Sequence, residues 1–142
     1  MSRSTLVLLV LVVLVLAACG GGGGQTVSAG PGDAAKGQAL FEQKTIGKDN
    51  LQGCVTCHST QKDVVLTGPA LAGIANDAAE SPKDPAYKGQ AKDAAGWLKE
   101  SIINPDADVA DGFQPKVMPQ NFKDELTDQQ INDIVAYLMT LK

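Results

Sequence analysis

The apolar residues near the end of the chain recur with the period of an α-helix. One apolar stripe is formed by residues at three- and four-residue intervals, namely Ile131, Ile134, Val135 and Leu138. Thr127 and Gln130 have the spacing of a capping box, in which each side chain bonds the backbone of the other residue. The sequence therefore predicts a C-terminal helix that begins after Thr127 and packs its stripe against a core.

A second helical pattern follows Asp33, which can cap a helix over residues 34–44. Within this segment Gly37 and Phe41 are four residues apart and share one face. A glycine inside a helix costs up to about 1 kcal/mol, and a close crossing with another helix gives a reason for it. This segment is predicted to cross a second helix at Gly37.

A third helical pattern occupies the middle of the chain. Asp93 can cap a helix over residues 94–104, and Pro105 marks its end. Residues 106–123 have no helical period, and a loop of this length usually has a function. Together these patterns predict one small all-α domain over residues 33–142.

The segment before the domain has a different composition. Residues 1–18 contain one positive charge, an unbroken run of Leu and Val over residues 6–16, and two alanines. Because a helix needs about 20 apolar residues to span a bilayer, this run predicts an export signal. The end of the segment, Leu16-Ala17-Ala18-Cys19, resembles a bacterial lipobox, in which the cysteine is diacylated and becomes the first mature residue. The alternatives are a secretory peptide that leaves Cys19 as a spare thiol, or an uncleaved anchor.

Residues 19–32 include five consecutive glycines and are predicted to form a tether. These residues cannot bury a core, and the glycines lose much entropy when they are ordered. A chain of this length has a typical end-to-end distance of about 20 Å and reaches roughly 45 Å when extended. We therefore expect the domain to be anchored in a membrane by lipid on Cys19 and to swing above its surface.

The most specific signal in the chain is Cys54-Val55-Thr56-Cys57-His58. Two cysteines separated by two residues, with a histidine directly after the second, have the spacing of a c-type haem attachment site. One turn of helix brings both sulfurs, which form thioethers with the porphyrin, and the imidazole to one face of the haem. His58 is the only histidine in the sequence, so no other imidazole competes for the iron.

Two other kinds of site use paired cysteines, and both fit less well. A redox disulfide of the thioredoxin type lies in a βαβ frame, which the sequence does not predict. A zinc site requires four ligands, and the only other cysteine, Cys19, lies in the N-terminal segment. Covalent haem c is therefore the favoured cofactor.

A sixth iron ligand would come from Met118 or Met139, because Met1 is lost with the export signal. Met139 lies on the C-terminal helix, where methionine usually fills space in a core. Met118 lies in the long loop, and Pro119 biases its backbone toward an extended conformation that can project the thioether inward. We expect Met118 to bind the iron. The alternative is a space-filling Met118 with the sixth position open or taken by water.

The net charge of the chain is −4, and cleavage after residue 18 would remove Arg3 and make the protein more acidic. Nucleic acid and anionic lipid headgroups repel such a protein, so neither is expected as a partner. An acidic surface is compatible with a basic docking face on a redox partner, although solubility explains the charge equally well.

Over residues 33–142 the sequence resembles the small monohaem c-type cytochromes. The resemblance rests on the haem motif and three further features, which are Gly68-Pro69-Ala70-Leu71, Met118-Pro119, and a terminal helix pair with Gly37, Phe41 and Tyr137. It implies an all-α fold of three to five helices around one covalently bound haem, with crossed terminal helices. It also implies that the Pro69 carbonyl holds the second nitrogen of His58 and that Met118 is the other iron ligand. Residues 76–92 cannot be aligned with the family, so the resemblance predicts no contacts for them.

The resemblance implies an electron carrier and not an enzyme. Its partners would be membrane-bound respiratory or photosynthetic complexes, such as a quinol-oxidising complex and a terminal oxidase, at the outer face of a bacterial cytoplasmic membrane. No set of acid, base or nucleophile is recognisable in the sequence. The alternative is a haem enzyme or gas sensor, which would require a sixth iron position that opens.

Overall fold

The computed structural model describes residues 30–142, so the predicted signal segment 1–18 and the lipidation site Cys19 lie outside the described residues. The described part is mostly helical, and the predicted all-α fold is confirmed. Its α-helices are α1 (Ala34–Phe41), α2 (Ile74–Glu80), α3 (Ala94–Ile103), α4 (Phe122–Glu125) and α5 (Asp128–Leu138). Three 3₁₀ turns join them, at Cys54–Thr56, Ser81–Lys83 and Pro105–Ala107. Within residues 30–142 no helix is both long and apolar enough to cross a membrane.

The first and last helices pack against each other more extensively than any other pair of elements, as predicted. Gly37 lies at the crossing, and a Cβ built on it would overlap the carbonyl oxygen of Asp133. The rings of Phe41 and Tyr137 meet beside the crossing, with centroids 5.5 Å apart and planes at 56°. The absence of a side chain at Gly37 therefore lets the two backbones approach and sets the frame of the domain.

Helix α1 is shorter than predicted, since it ends at Phe41 and not at residue 44. The Glu42 amide still bonds back to Gln38, but the carbonyl of Lys44 accepts a hydrogen bond from Gly53 at 2.8 Å. This bond joins the end of the helical segment to the residue before the cysteine motif.

The caps predicted for the two later helices, at Asp93 and Thr127, are present. The Asp93 side chain accepts a hydrogen bond from the Gly96 amide at 2.7 Å and begins α3. The capping box of Thr127 and Gln130 begins α5. The stripe on α5 is buried as expected and joins a core of residues from every helix, with Phe41, Ala78, Leu98, Phe122, Ile131, Ile134 and Leu138 among its members.

The connector before the motif contains a small sheet that the sequence did not indicate. Strands β1 (Thr45–Ile46) and β2 (Leu51–Gln52) are antiparallel, with Thr45 opposite Gln52. Buried Ile46 holds the pair on the core, and the Glu125 carboxylate accepts a hydrogen bond from the Asp49 amide at 2.8 Å. The hairpin positions Gly53 directly before Cys54.

The described contacts of the domain extend back to Gly30, three residues before the predicted boundary. The Gly30 amide donates to the side-chain oxygen of Gln129 at 2.7 Å, and the Asn132 side chain donates to the Gly30 carbonyl at 3.1 Å. Gln129 also donates to the Pro31 carbonyl at 3.2 Å. Residues 30–32 are therefore docked on α5, and they do not belong to the predicted tether of residues 19–32.

Candidate haem site

The cysteine motif begins in a 3₁₀ turn, Cys54–Thr56, and not in a turn of α-helix. The carbonyl of Cys54 accepts hydrogen bonds from the amides of Cys57 at 3.1 Å and His58 at 2.9 Å. This tight turn places the side chains of Cys54, Cys57 and His58 in the wall of one cavity. The structure thus brings together the three residues that the spacing predicted.

The imidazole of His58 is held by the backbone of Pro69, with 2.9 Å between Nδ1 and the carbonyl oxygen. A carbonyl can only accept, so Nδ1 carries the hydrogen and Nε2 keeps its lone pair. Burial lowers the pKa of His58, and the bond to Pro69 opposes this shift. The ring is therefore favoured as neutral imidazole with Nε2 available to a metal.

Gly68 allows the chain to pass close to this ring. A Cβ built on Gly68 would lie 2.6 Å from Cε1 of His58, which is closer than two non-bonded carbon atoms approach. The Gly68 amide donates to the Cys57 carbonyl at 2.9 Å and ties the segment to the motif. The family resemblance implied a role for Pro69 alone, although Gly68 directly precedes it in the sequence.

No disulfide joins Cys54 to Cys57. Burial raises the pKa of Cys54 to about 11, so this side chain is a neutral thiol at physiological pH. Between residues 30 and 142 no cluster of three or more His, Cys, Asp or Glu could hold a metal ion. The arrangement gives no support to a zinc site or to a reactive thiolate.

The cavity beside the motif has a volume of about 660 Å³. This lies within the roughly 300–1,000 Å³ of typical cofactor sites. Its wall is largely apolar and combines side chains from all five α-helices and the loops, such as Phe41, Leu71, Ile74, Leu98, Ile102, Val109, Phe113, Phe122, Ile134 and Leu138. A large flat apolar group therefore fits this space.

The comparison with known proteins agrees with this geometry. The sequence matches the family model of cytochrome c over residues 34–142. The chain belongs to the cytochrome c family. It is 33% identical to a cytochrome c2 of Rhodopseudomonas palustris over 125 residues, which cover 78% of this chain and 99% of the relative. It is 35% identical to a cytochrome c of Euglena viridis over 116 residues, which cover 78% of this chain and 99% of that protein.

This c-type cytochrome binds haem c, since members of the family bind it covalently and Cys54 and Cys57 fit the attachment motif. The residues present fit the group on three counts. The two thiols share a wall with His58, the Nε2 of His58 has no hydrogen-bond partner among residues 30–142, and the cavity is large and largely apolar.

Met118 lines the same cavity as the cysteine motif, and Met139 does not. Met118 is half-buried, and its backbone carbonyl accepts a hydrogen bond from the Gln120 side chain at 2.9 Å. Met139 caps the end of α5 and packs against the apolar core. Of the two candidates, Met118 is therefore the one that lines the cavity of this cytochrome.

One polar contact of the cavity wall was not predicted. The indole nitrogen of Trp97 donates to the carboxylate of Asp108 at 2.8 Å. Both residues line the cavity, and this bond fixes the ring of Trp97 against the loop that leads to Met118. No local sequence signal reveals the pairing, because it depends on how the loop after α3 folds back.

Proposed function

We propose that this cytochrome is a one-electron carrier in which His58 and Met118 are the two protein ligands of the haem iron. The observation that carries the proposal is that both side chains line one apolar cavity and come from separate segments of the chain. A nitrogen and a thioether ligand together are a common axial pair of cytochromes c and raise the reduction potential.

When bound, haem supplies the one-electron couple between ferrous and ferric iron. The chain supplies a fixed environment for that couple. Pro69 orients His58 through its carbonyl, and the loop of residues 106–121 positions Met118. Because Pro69 fixes His58 and the loop of Met118 is tied to Asp106, we expect both ligands to move little when the charge of the iron changes. Ligands that do not move make electron transfer fast.

We place this carrier outside the bacterial cytoplasmic membrane and anchored to it by lipid on Cys19. The apolar run of residues 6–16, the lipobox-like end and the five glycines support this placement. Two acyl chains anchor a protein firmly, whereas one gives only marginal binding. The partners would be membrane-bound redox complexes, such as a quinol-oxidising complex and a terminal oxidase.

An optical redox titration of the purified holoprotein tests this function. We expect one reversible one-electron transition and no rapid binding of carbon monoxide to the reduced protein, because Met118 occupies the sixth position. Rapid binding of carbon monoxide at full occupancy would favour a haem enzyme or gas sensor instead.

A further inference from the structure

The loop that carries Met118 is held by burial at its two ends and is largely exposed in between. Pro105 is buried where the chain leaves α3, and Phe122 is buried where α4 begins. Most residues from 110 to 117 are exposed, whereas Met118 and Pro119 are half-buried. Because exposed segments with few apolar contacts open easily, the position of Met118 depends on hydrogen bonds made within the loop.

One oxygen atom of Asp106 forms two of these bonds. Its Oδ1 accepts hydrogen bonds from the Lys116 amide at 2.8 Å and from Nε2 of Gln120 at 3.3 Å. Lys116 precedes Met118 by two residues, and Gln120 follows it by two. A carboxylate at the start of the loop therefore holds the chain on both sides of Met118.

Gln120 also bonds Met118 directly. The same Nε2 donates to the Met118 carbonyl at 2.9 Å, and its two hydrogens can serve the two acceptors. Pro119 lies between the two residues and fixes one backbone dihedral in the short ring that this bond closes. The backbone of Met118 is thus connected to Asp106 through a single side chain.

The backbone of Lys116 indicates that the loop is constrained at this point. Its φ of +64° lies in the left-handed region, which residues with a Cβ seldom adopt. Such a conformation persists where the surrounding structure determines it, and it is frequent at functional sites. Lys116 is exposed, so the bond from its amide to Asp106 is the contact that holds it.

We propose that Asp106 and Gln120 are positioning residues that keep Met118 on the haem iron. This rests on the proposed function, in which Met118 is the second protein ligand of the iron. Both residues act through the backbone on either side of Met118 or through its carbonyl. They therefore set how often the sixth iron position opens to an added ligand.

Binding of imidazole to the ferric full-length holoprotein tests this role, because imidazole must displace Met118 from the iron. Asp106→Ala removes the acceptor, whereas Asp106→Asn keeps an oxygen acceptor and removes only the charge. Gln120→Ala removes the donor. Gln114→Ala is its matched control, since Gln114 is an exposed glutamine of the same loop whose side chain has no hydrogen-bond partner among residues 30–142.

We expect Asp106→Ala to bind imidazole about fivefold more tightly than the wild type, or more, and Gln120→Ala about threefold more tightly, because the open state is more populated. Asp106→Asn and Gln114→Ala should stay within about twofold of the wild type, since each keeps the bonds that hold Met118. The Lys116 amide should also exchange its hydrogen with water faster in Asp106→Ala than in Asp106→Asn. A role in folding alone would lower the free energy of unfolding and leave the affinity for imidazole unchanged.

An imidazole affinity of Asp106→Ala equal to that of the wild type, or to that of Asp106→Asn, would overturn the proposal. If Asp106→Ala does not retain haem, the two glutamine variants decide, and equal affinities of Gln120→Ala and Gln114→Ala would overturn it. Failure of the proposed function is recognised separately, because the wild-type ferric protein would then lack the absorption band of sulfur-to-iron charge transfer.

Discussion

At the scale of single residues, the site depends on how closely the chain passes His58. Gly68→Ala would place a Cβ 2.6 Å from Cε1 of the ring and push it away from the Pro69 carbonyl. A weaker bond at Nδ1 makes the imidazole less basic, which stabilises ferrous iron relative to ferric iron. We expect a higher reduction potential and faster exchange of the Nδ1 proton with water, measured by redox titration and by NMR.

Pro69→Ala is the control for this change, because it keeps the backbone carbonyl that accepts the bond. Its reduction potential should stay close to that of the wild type. If Pro69→Ala shifted the potential as much as Gly68→Ala, the proposed effect of crowding on the ring would be wrong.

The identity of the second iron ligand is also a property of one residue. Met118→His should lower the reduction potential, because a nitrogen ligand favours ferric iron more than a thioether does. Met139→Leu should leave the potential unchanged, since Met139 lies at the end of α5 and outside the cavity. Redox titration of the two variants compares them directly, and a shift confined to Met139→Leu would contradict the assignment.

At the scale of elements, the crossing of α1 and α5 depends on Gly37. Gly37→Ala would force a Cβ into the Asp133 carbonyl, and overpacking of this kind typically costs about 1–3 kcal/mol of unfolding free energy. Gly96→Ala in α3 is the matched change, because its new Cβ would lie 3.1 Å from the flexible Asp93 side chain and 3.5 Å from Ala91. Guanidinium unfolding of both holoproteins measures the difference, and equal stability of the two would contradict a close crossing.

The elements that could be predicted from the sequence are those that local chemistry specifies. Asp33, Asp93 and Thr127 each begin a helix within a few residues of their own position, and the haem motif lies within one turn. The hairpin of β1 and β2 has only two residues in each strand, too few for a period to be visible. Helix α2 begins without a side-chain cap, so its start gave no signal either.

The parts of the site that could not be predicted depend on residues far apart in the sequence. The 2.8 Å bond between Trp97 and Asp108 forms only after the loop that follows α3 folds back over the cavity. The docking of residues 30–32 on α5 joins positions about one hundred residues apart and was hidden by a glycine-rich composition typical of a tether. Long-range contacts of this kind have no counterpart in local periodicity.

At the scale of the whole molecule, the proposed lipid anchor determines where the protein is found. Cys19→Ala should yield soluble or unprocessed cytochrome, because the acyl chains that hold it in the membrane cannot be attached. The haem spectrum should be unchanged, since the cavity lies entirely within the domain. Membrane fractionation and mass spectrometry of the N-terminus check both points. Wild-type mature protein in the soluble fraction with a free Cys19 thiol would contradict the anchor.

The most direct test of the central claim is the absorption band that arises from sulfur-to-iron charge transfer in the ferric holoprotein. We predict that the wild type and Met139→Leu show this band. Met118→Ala should lose it and bind carbon monoxide rapidly once reduced, because Met118 lines the cavity with His58 whereas Met139, the other methionine of residues 30–142, does not. A band that persists in Met118→Ala, or one that disappears in Met139→Leu, would contradict ligation of the iron by His58 and Met118.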